Sequence, residues 1–276
     1  MALENSKLAF VGSGIMAEAM IKGLIHQNLI MGRQVIASDP SKERGEYLTS
    51  EYGLSFTTDN GEAVQDADLI VLSIKPQVFQ QVIHSVGDKA KHASMILSIL
   101  AGVKIGSIAE GLGNASVVRA MPNTPAQIGQ GITVWTATPE VPDAQRQQAK
   151  ALLGALGEEL FMEDEKFLDM ATALSGSGPS YVFLFMEALI DAGVHMGFSR
   201  RDAEHLVKQT MLGSTLYAMQ SSAHPAELRN QVTSPGGTSA SALYQLEKGG
   251  IRTIVSRAIW AAYERSVELG KGNKDK

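Results

Sequence analysis

The chain has 276 residues, of which 44% are hydrophobic and 19% charged, so it is long enough for two globular domains with buried cores. Its formal net charge of -5 argues against a nucleic-acid partner or an anionic membrane surface, since both attract basic proteins. The absence of cysteine excludes disulfides, thiol nucleophiles and thiolate metal sites, and it is compatible with a reducing cytoplasm.

Apolar runs and helix-length segments alternate through the first half of the chain. KLAFVG predicts a strand that ends in glycine, and AEAMIKGLIHQNL has helical spacing, with Met20, Leu24 and Ile25 on one face. The alternation continues through QVIASD, a helix over 42–52, ADLIVLSI, a helix over 77–86, ASMILSIL and ASVVRAM. Strands made almost wholly of Val, Ile and Leu between helices predict a parallel sheet covered on both faces.

Strand signals stop after about residue 163, where MEDEKF marks the expected domain boundary. Helix starts are indicated at Pro179, at Ser199 with Asp202 three residues later, at Pro225 and after the loop TSPGGTSASAL. Gly270 is expected to end the last helix. The chain is therefore expected to form an α/β domain over 1–163 and an all-α domain over 164–276.

The sequence indicates neither export nor membrane insertion. The N-terminal MALENSK lacks a basic region followed by an apolar one, so it does not resemble a secretory signal. The longest apolar runs, MILSILAGV and YVFLFMEALI, are shorter than the roughly 20 residues of a spanning helix. We expect a cytoplasmic protein without a membrane partner, whose last residues, KGNKDK, form a solvated end.

The first glycine loop, GSGIMA, has the form G-x-G-x-x-A of the dinucleotide fingerprint. Gly12 permits the tight turn, Gly14 lets the backbone approach a pyrophosphate, and Ala17 keeps the helix close to the strand. A plain strand-to-helix turn is the alternative. The position directly after the first strand of an alternating α/β chain favours dinucleotide binding.

Asp39 lies near the end of the second predicted strand, where an acid accepts hydrogen bonds from the adenosine ribose of NAD. Alternatively, Ser38, Lys42 and Arg44 hold the 2′-phosphate of NADP. A third interpretation is structural, because Asp39 followed by Pro40 is also a common start of a helix. NAD and NADP both remain open at this point.

Two further segments should reach the same edge of the sheet. SIKPQ places Lys75 directly after a buried strand, where open α/β sheets bind ligands, although lysines at strand ends are often only solvated. AMPNTPAQIG follows a later strand, and its Asn123 and Thr124 either line a site or form an ordinary turn. Between the halves of the chain, SGSG before Pro179 allows close backbone approach or a flexible joint.

The second glycine loop precedes a predicted helix whose first acid after Gly237 is Glu247. Helix starts usually carry acids that offset the positive end of the helix dipole, and this one does not. Its N–H groups are therefore suited to an external carboxylate, with the Thr238 or Ser239 hydroxyl binding a second polar atom. The competing interpretation is that one of these hydroxyls only caps the helix.

The segments FVGSGIMAEAM, IKPQ, VVRAMPNTP, LSGSGPSYVF, DAGVHMGF and QVTSPGGTSASAL occur in the order found in the pyrroline-5-carboxylate reductases, and the chain resembles this family over almost its whole length. The resemblance implies reduction of L-1-pyrroline-5-carboxylate to L-proline with NADP or NAD, the last step of proline biosynthesis. It also implies an N-terminal Rossmann domain and an all-α C-terminal dimerisation domain, with dimers that family members often assemble into decamers.

The resemblance implies cofactor contacts at Gly12, Ser13, Gly14, Ile15, Met16, Ala17, Ser38, Asp39, Pro40, Asn60, Ile74, Lys75 and Ala101. It implies substrate contacts at Gly236, Gly237, Thr238 and Ser239, with Ser239 or Thr238 as the catalytic hydroxyl. Ser239 departs from the threonine common in the family but keeps a donor and an acceptor. Asp39 stands where NADP-preferring members often have a small or basic residue. The six histidines lack ligand spacing, so no metal is expected.

The implied reaction needs little acid–base machinery, because a cyclic imine accepts hydride well once its nitrogen is protonated. One alternative is another two-domain NAD(P)-dependent imine or β-hydroxyacid reductase. Such an enzyme typically uses a helical lysine as general acid, for which Lys208 is the candidate. The other is a non-catalytic nucleotide-binding sensor, which would have no reason to keep the second glycine loop.

Overall fold

The computed structural model describes residues 3–270; the predicted solvated end over 271–276 lies outside them. Contacts divide the chain into two compact units, residues 1–178 with 262–276, and residues 179–261. The first unit contains a sheet flanked by helices, and the second is helical. The domain boundary expected after residue 163 stays a prediction.

The strands are β1 (Leu8–Val11), β2 (Val35–Ser38), β3 (Ser55–Thr57), β4 (Leu69–Leu72), β5 (Met95–Ser98), β6 (Val117–Met121), β7 (Gly131–Ala137) and β8 (Gly157–Phe161). The α-helices of the first half are α1 (Ile15–His26), α2 (Lys42–Tyr52), α3 (Asn60–Val64), α4 (Phe79–Val86), α5 (Ile105–Leu112) and α6 (Asp143–Gly154). Those of the second half are α7 (Lys166–Ala171), α8 (Gly178–His195), α9 (Arg200–Gln220), α10 (Pro225–Gln231), α11 (Thr238–Lys248) and α12 (Ile251–Gly270).

The strand order is β3-β2-β1-β4-β5-β6-β7-β8, with β1 between two parallel neighbours. The register pairs Val11 with Ser38 on one side and with Leu72 on the other, so the loops after these strands leave the same edge. Strands β2 and β3 follow β1 on one side of the sheet, and strands β4 to β8 lie on its other side. The strand order therefore reverses between β1 and β4, where open α/β sheets have a crevice. This confirms the predicted Rossmann-type fold.

Side chains of β1 alternate between two apolar cores. Leu8 and Phe10 belong to the core that includes residues of α1 and α6, whereas Ala9 and Val11 belong to the core that includes residues of α4 and α5. All four side chains are inaccessible to solvent. The sheet is therefore covered on both faces, as the near-continuous apolar strands predict.

The sheet departs from the sequence prediction beyond β6. Strand β7 pairs antiparallel with β6, so the sheet is not wholly parallel, and strands β3, β7 and β8 were not predicted. The link between β6 and β7 contains only a 3-10 turn over Thr124–Ile128, which suits an antiparallel neighbour because a parallel one needs a long crossover. The Asn123 side chain accepts a hydrogen bond from the Ile132 amide across this link.

A buried ionic network joins α7 and the end of α12 to the sheet. Arg119 of β6 is 2% exposed and donates to Glu165 at 2.6 Å and to Asp169 at 3.1 Å. Glu165 also accepts from the Ile105 amide at the start of α5, and Asp169 accepts from Ser266 of α12. Each carboxylate therefore has a second donor besides the guanidinium, as buried charges require.

The predicted helix starts of the second half are confirmed. Ser199 caps α9 by accepting from the Asp202 amide, α10 begins at Pro225, and Pro179 lies in the first turn of α8. Gly270 is the last residue of α12. Many large apolar side chains of the helical unit are exposed, for example Leu184 and Trp260, and this surface is much more apolar than that of a typical monomer.

The stretch Lys166–His195 comprises α7, a π-helical turn over Thr172–Gly176 and α8. By length and composition alone it could cross a membrane, a test that core helices of other proteins also pass. The apolar run YVFLFMEALI is itself short, and the stretch reaches this length because the polar and small residues before it are helical as well. The length criterion alone does not imply a membrane.

Candidate active site

A cleft of about 1030 Å³ lies at the edge of the sheet where β1, β2 and β4 end. Its walls include predicted cofactor residues, namely Gly12, Gly14, Ser38, Asp39, Pro40, Asn60, Ile74 and Lys75. The remaining lining residues, Thr58, Asp59, Ser73, Val78, Gln81, Val82 and Ser85, were not predicted. The cleft therefore gathers most of the predicted cofactor residues, and it occupies the crevice where open α/β sheets bind ligands.

The two glycines of the first loop are needed for different reasons. Gly12 has φ +83°, and a Cβ there would lie 2.7 Å from Ile74 and 2.8 Å from the Ser73 carbonyl, so the fold itself requires glycine. Gly14 has φ -68°, and a Cβ there would meet nothing within 4 Å. Neither the backbone conformation nor packing requires glycine at position 14, so glycine there stays a prediction of close approach by a ligand.

The first glycine loop is tied to β2 and to the loop after β4. The Gly12 amide donates to the Ser38 carbonyl at 2.9 Å, and the Ser13 amide donates to the Asp39 carboxylate at 3.1 Å. The Ser73 hydroxyl donates to the Gly12 carbonyl. Ala17 is fully buried beneath the loop. The loop thus has a fixed path before any ligand binds.

Asp39 does not cap α2. Its second carboxylate oxygen accepts from the Ser41 amide at 3.1 Å, and Ser41 is the residue that caps the helix by accepting from the Arg44 amide. The interpretation of Asp39–Pro40 as the helix start is therefore wrong by two residues. Asp39 is half-buried at the wall of the cleft, so its carboxylate faces space that a ligand could occupy.

The three residues considered for a 2′-phosphate are not equally available. Ser38 is fully buried, and its hydroxyl donates to Asn60 at 2.8 Å. The Arg44 guanidinium donates to the Ser13 carbonyl at 2.7 Å and to Glu18 at 2.5 Å. Lys42 is exposed and has no hydrogen bond or ion pair within residues 3–270. Of the three, Lys42 has the freest side chain.

Glu18 in the first turn of α1 accepts hydrogen bonds from Arg44, from Tyr47 at 3.0 Å and from Tyr52 at 3.0 Å. Partial burial opposes ionisation, but the hydrogen bonds and the charge of Arg44 outweigh it and lower the pKa of Glu18 below its usual 4.5. Burial and the carboxylate together raise the pKa of Tyr52. Glu18 is therefore ionised and Tyr52 protonated at neutral pH.

Some predicted cofactor residues lie outside the cleft lining, namely Ser13, Ile15, Met16, Ala17 and Ala101. Ser13 contributes its backbone to the loop, and Ile15 is 63% exposed. Lys75 is exposed at the cleft and, within residues 3–270, its side chain has no hydrogen bond or ion pair. Sequence reasoning missed Asp59, which caps α3 by accepting from two amides. The spacing of Asp59 and Glu62 carries that signal.

The second glycine loop lies in the helical unit. Helix α11 begins at Thr238, its N-cap is Gly237, and it has neither a side-chain cap nor an acid in its first turn. The interpretation of Thr238 or Ser239 as the cap is therefore wrong. Both hydroxyls are without a hydrogen-bond partner in the described part of the chain; Thr238 is exposed and Ser239 half-buried. The Gly237 amide already donates to the Ser234 carbonyl, so the free N–H groups belong to the residues after it.

Other candidate residues have structural partners. Asn123 donates to the Ser175 carbonyl as well as accepting from Ile132, so it belongs to the turn. His224 caps α10 through its Nδ1 atom, and Lys208 pairs with Glu204 at 3.1 Å. No cluster of His, Asp and Glu suited to a metal ion occurs among residues 3–270.

Comparisons with known proteins match both halves of the chain. Residues 165–269 match the family described as pyrroline-5-carboxylate reductase dimerisation, and residues 7–102 match that described as NADP oxidoreductase coenzyme F420-dependent. Among curated relatives, the pyrroline-5-carboxylate reductase of Pseudomonas aeruginosa is 42% identical over 98% of both chains. That of Arabidopsis thaliana is 33% identical over 97% of both.

Solved structures show the same likeness. The pyrroline carboxylate reductase of Plasmodium falciparum with NADP bound has a TM-score of 0.88 and 33% identity, covering 96% of this chain and 98% of that one. The enzyme of Coxiella burnetii has a TM-score of 0.86 and 34% identity over the same shares. A reductive aminase from Aspergillus terreus, with a TM-score of 0.63 and 16% identity over 98% of this chain and 96% of that one, shares the fold.

Proposed function

The chain belongs to the pyrroline-5-carboxylate reductase family, and we propose that its two glycine loops divide the reaction between cofactor and substrate. The protein is an NAD(P)-dependent oxidoreductase that reduces L-1-pyrroline-5-carboxylate to L-proline, the last step of proline biosynthesis. The full-length match to relatives of this activity carries the conclusion. It leaves no role for Lys208 as a general acid of the alternative reductases or for a non-catalytic sensor.

The first glycine loop would hold the cofactor. The open space at Gly14 supports contact with the pyrophosphate, and the half-buried carboxylate of Asp39 supports hydrogen bonds to the adenosine ribose. Asn60, Ile74 and Lys75 would line the remainder of the cofactor site, with Ala101 beyond the cleft lining. When bound, the nicotinamide supplies the hydride.

The second glycine loop would hold the substrate. The uncapped, acid-free start of α11 supports binding of the substrate carboxylate by N–H groups of Thr238 and Ser239. Gly236 has φ +71°, and Gly237 leaves the N-cap without a side chain, so the backbone is accessible. A hydroxyl of Thr238 or Ser239 would hydrogen-bond the ring nitrogen and hold its proton in place. No strongly basic group is needed for this task.

The charge of Asp39 would also influence the choice between the two cofactors. A carboxylate beside the ribose repels a 2′-phosphate, and Arg44 is already paired with Glu18. Lys42 and Lys75 are exposed cations near the cleft whose side chains have no partner among residues 3–270. The site would therefore accept either cofactor, with Asp39 opposing NADP and favouring NAD.

The helical unit provides self-association, since residues 165–269 match a dimerisation family. The exposed apolar side chains of this unit support dimer formation through its helices. We also propose that the dimers assemble into decamers. We further propose that the protein is cytoplasmic and has neither nucleic-acid nor membrane partners. The negative net charge and the absence of cysteine support the latter.

The activity is tested by following the oxidation of NADH and of NADPH by pure protein with and without pyrroline-5-carboxylate, and by identifying proline among the products. Substrate-dependent oxidation with formation of proline is expected with at least one cofactor. Ser239→Ala should lower turnover and leave the dissociation constant for cofactor unchanged, while Ser241→Ala, one exposed hydroxyl further along α11, should change neither. Absence of substrate-dependent oxidation in the wild type would contradict the function.

A further inference from the structure

The Arg44 side chain reaches from α2 to the first glycine loop. Its Nε atom donates to the Ser13 carbonyl at 2.7 Å, and its Nη2 atom lies 3.4 Å from the Gly14 carbonyl. The same Nη2 atom donates to Glu18 at 2.5 Å. The guanidinium thus contacts two consecutive carbonyls of the loop and an acid of the following helix.

The surroundings hold this guanidinium in place. Arg44 and Glu18 are 24% and 22% exposed, so water screens the pair only in part. Tyr47 and Tyr52 both donate to the other oxygen of Glu18, and the Tyr47 ring lies 5.4 Å from the guanidinium carbon. The side chains of Glu18, Tyr47 and Tyr52 therefore fix the orientation of Arg44. Arg44 also balances the negative charge that Glu18 brings to the first turn of α1, where an anionic ligand would be repelled.

The Arg44 contacts act together with α1 to set where the loop amides point, since the Gly14 carbonyl also accepts from the Glu18 amide at 3.0 Å. The described chain has no cis peptide bond, and in a trans peptide the C=O and N–H bonds point in opposite directions. Because the carbonyls of Ser13 and Gly14 face Arg44, the N–H bonds of Gly14 and Ile15 point away from it. Gly14 also lines the cleft, and no side chain caps this end of α1.

We propose that Arg44 is a positioning residue for the cofactor, which holds the amides of Gly14 and Ile15 in the orientation that binds the pyrophosphate. In this role Arg44 does not bind the 2′-phosphate that distinguishes NADP from NAD, although a basic side chain after the second strand is an obvious candidate ligand for that phosphate. The inference rests on the proposed cofactor site at the first glycine loop. It adds a residue that supports this site from the side opposite the ligand.

The test compares Arg44→Met and Arg44→Lys with the wild type. We expect Arg44→Met to raise the dissociation constants for NADH and for NADPH by the same factor, about tenfold, because charge-assisted hydrogen bonds to the loop are lost. In turnover, the KM for both cofactors should rise while kcat at saturating cofactor stays within about twofold. Arg44→Lys retains a cation and should lose less affinity. Arg33→Met, an exposed arginine without a partner in residues 3–270, is the control and should match the wild type.

Two results would overturn the proposal. A loss confined to NADPH would make Arg44 a ligand of the 2′-phosphate, and unchanged affinity for both cofactors would remove its role. Thermal unfolding without cofactor shows whether each variant is folded. If Arg44→Met does not fold, the dissociation constants of Arg44→Lys for NADH and NADPH are compared with those of the wild type, and the same two results would overturn the proposal. The binding measurements need no pyrroline-5-carboxylate, so failure of the proposed substrate chemistry is distinguishable from failure of this inference.

Discussion

The Asp39 carboxylate accepts a hydrogen bond from the Ser13 amide at 3.1 Å, which ties the end of β2 to the first glycine loop. One oxygen of this acid thereby shapes the loop that would meet the pyrophosphate. The same side chain lies at the wall of the cleft, where its charge would act on the ribose of the proposed cofactor. Asp39 therefore links the geometry of the loop to the choice of cofactor.

Asp39→Asn should shift the cofactor preference towards NADPH. The amide keeps an acceptor for one backbone N–H but removes the negative charge that opposes a 2′-phosphate. We expect the ratio of kcat/KM for NADPH to that for NADH to rise by about tenfold, measured with saturating substrate. Glu46→Gln, an exposed acid on α2, should leave the ratio unchanged. A ratio that falls in Asp39→Asn would show that the carboxylate does not face the 2′-position.

Gly14→Val should abolish cofactor binding in a protein that still folds. A Cβ at position 14 has no other atom of the chain within 4 Å, whereas the valine side chain would occupy the volume proposed for the pyrophosphate. The dissociation constant for NADH is expected to rise by at least about 10²-fold, with thermal unfolding close to that of the wild type. The matched control is Gly154→Val on α6, where the Cβ position is equally open. Tight cofactor binding by Gly14→Val would place the nucleotide elsewhere.

Arg119→Met should destabilise the first unit strongly. Removing the guanidinium leaves the carboxylates of Glu165 and Asp169 close together without their shared cation, which typically costs about 3–5 kcal/mol. The free energy of unfolding in denaturant measures the effect. Arg265→Met removes an exposed pair with Glu268 and should change stability by less than about 1 kcal/mol. Equal small effects in both variants would contradict the network described for Arg119.

Glu18→Gln should make the protein less stable at neutral pH but not in acid. The folded state lowers the pKa of Glu18 below 4.5, so its contribution is present above that pH and is lost as the pH falls through the folded value. The thermal midpoint of the wild type should therefore exceed that of Glu18→Gln at pH values near 7. The two midpoints should converge as the pH falls below 4.5 and the Glu18 carboxyl of the folded state becomes protonated. A constant difference across the range would show that the ionised form of Glu18 is not what stabilises the fold.

Elements with strong local signals were predictable from the sequence. The polar helix predicted over 42–52 coincides with α2, and the cap at Ser199 was read from the spacing to Asp202. Strands β3 and β8 were missed because they are edge strands, one of three residues and the other carrying two glutamates. Strand β7 was missed although apolar and polar residues alternate in GITVWTA. The sequence predicted only parallel strands joined by crossover helices, whereas β7 follows β6 through a short link and pairs with it antiparallel.

The candidate site was predictable where the chemistry lies in one short segment, as in the two glycine loops. It was not predictable where partners are distant in sequence. Arg44 contacts carbonyls about thirty residues earlier, whereas the sequence alone left it as one of three candidate phosphate ligands, because only its place on the helix was known. Similarly, the Ser38 hydroxyl is committed to Asn60. Such pairings depend on how strands and helices pack against each other, and a short stretch of sequence does not determine that packing.

The division of labour between the glycine loops is tested most directly by a crystal structure with proline and an oxidised nicotinamide cofactor bound together. We expect the pyrophosphate against Gly14, and the proline carboxylate within hydrogen-bond distance of the Thr238 and Ser239 amides, with one of their hydroxyls at the ring nitrogen. A proline carboxylate held by other residues, with the start of α11 exposed to solvent in every subunit, would contradict it.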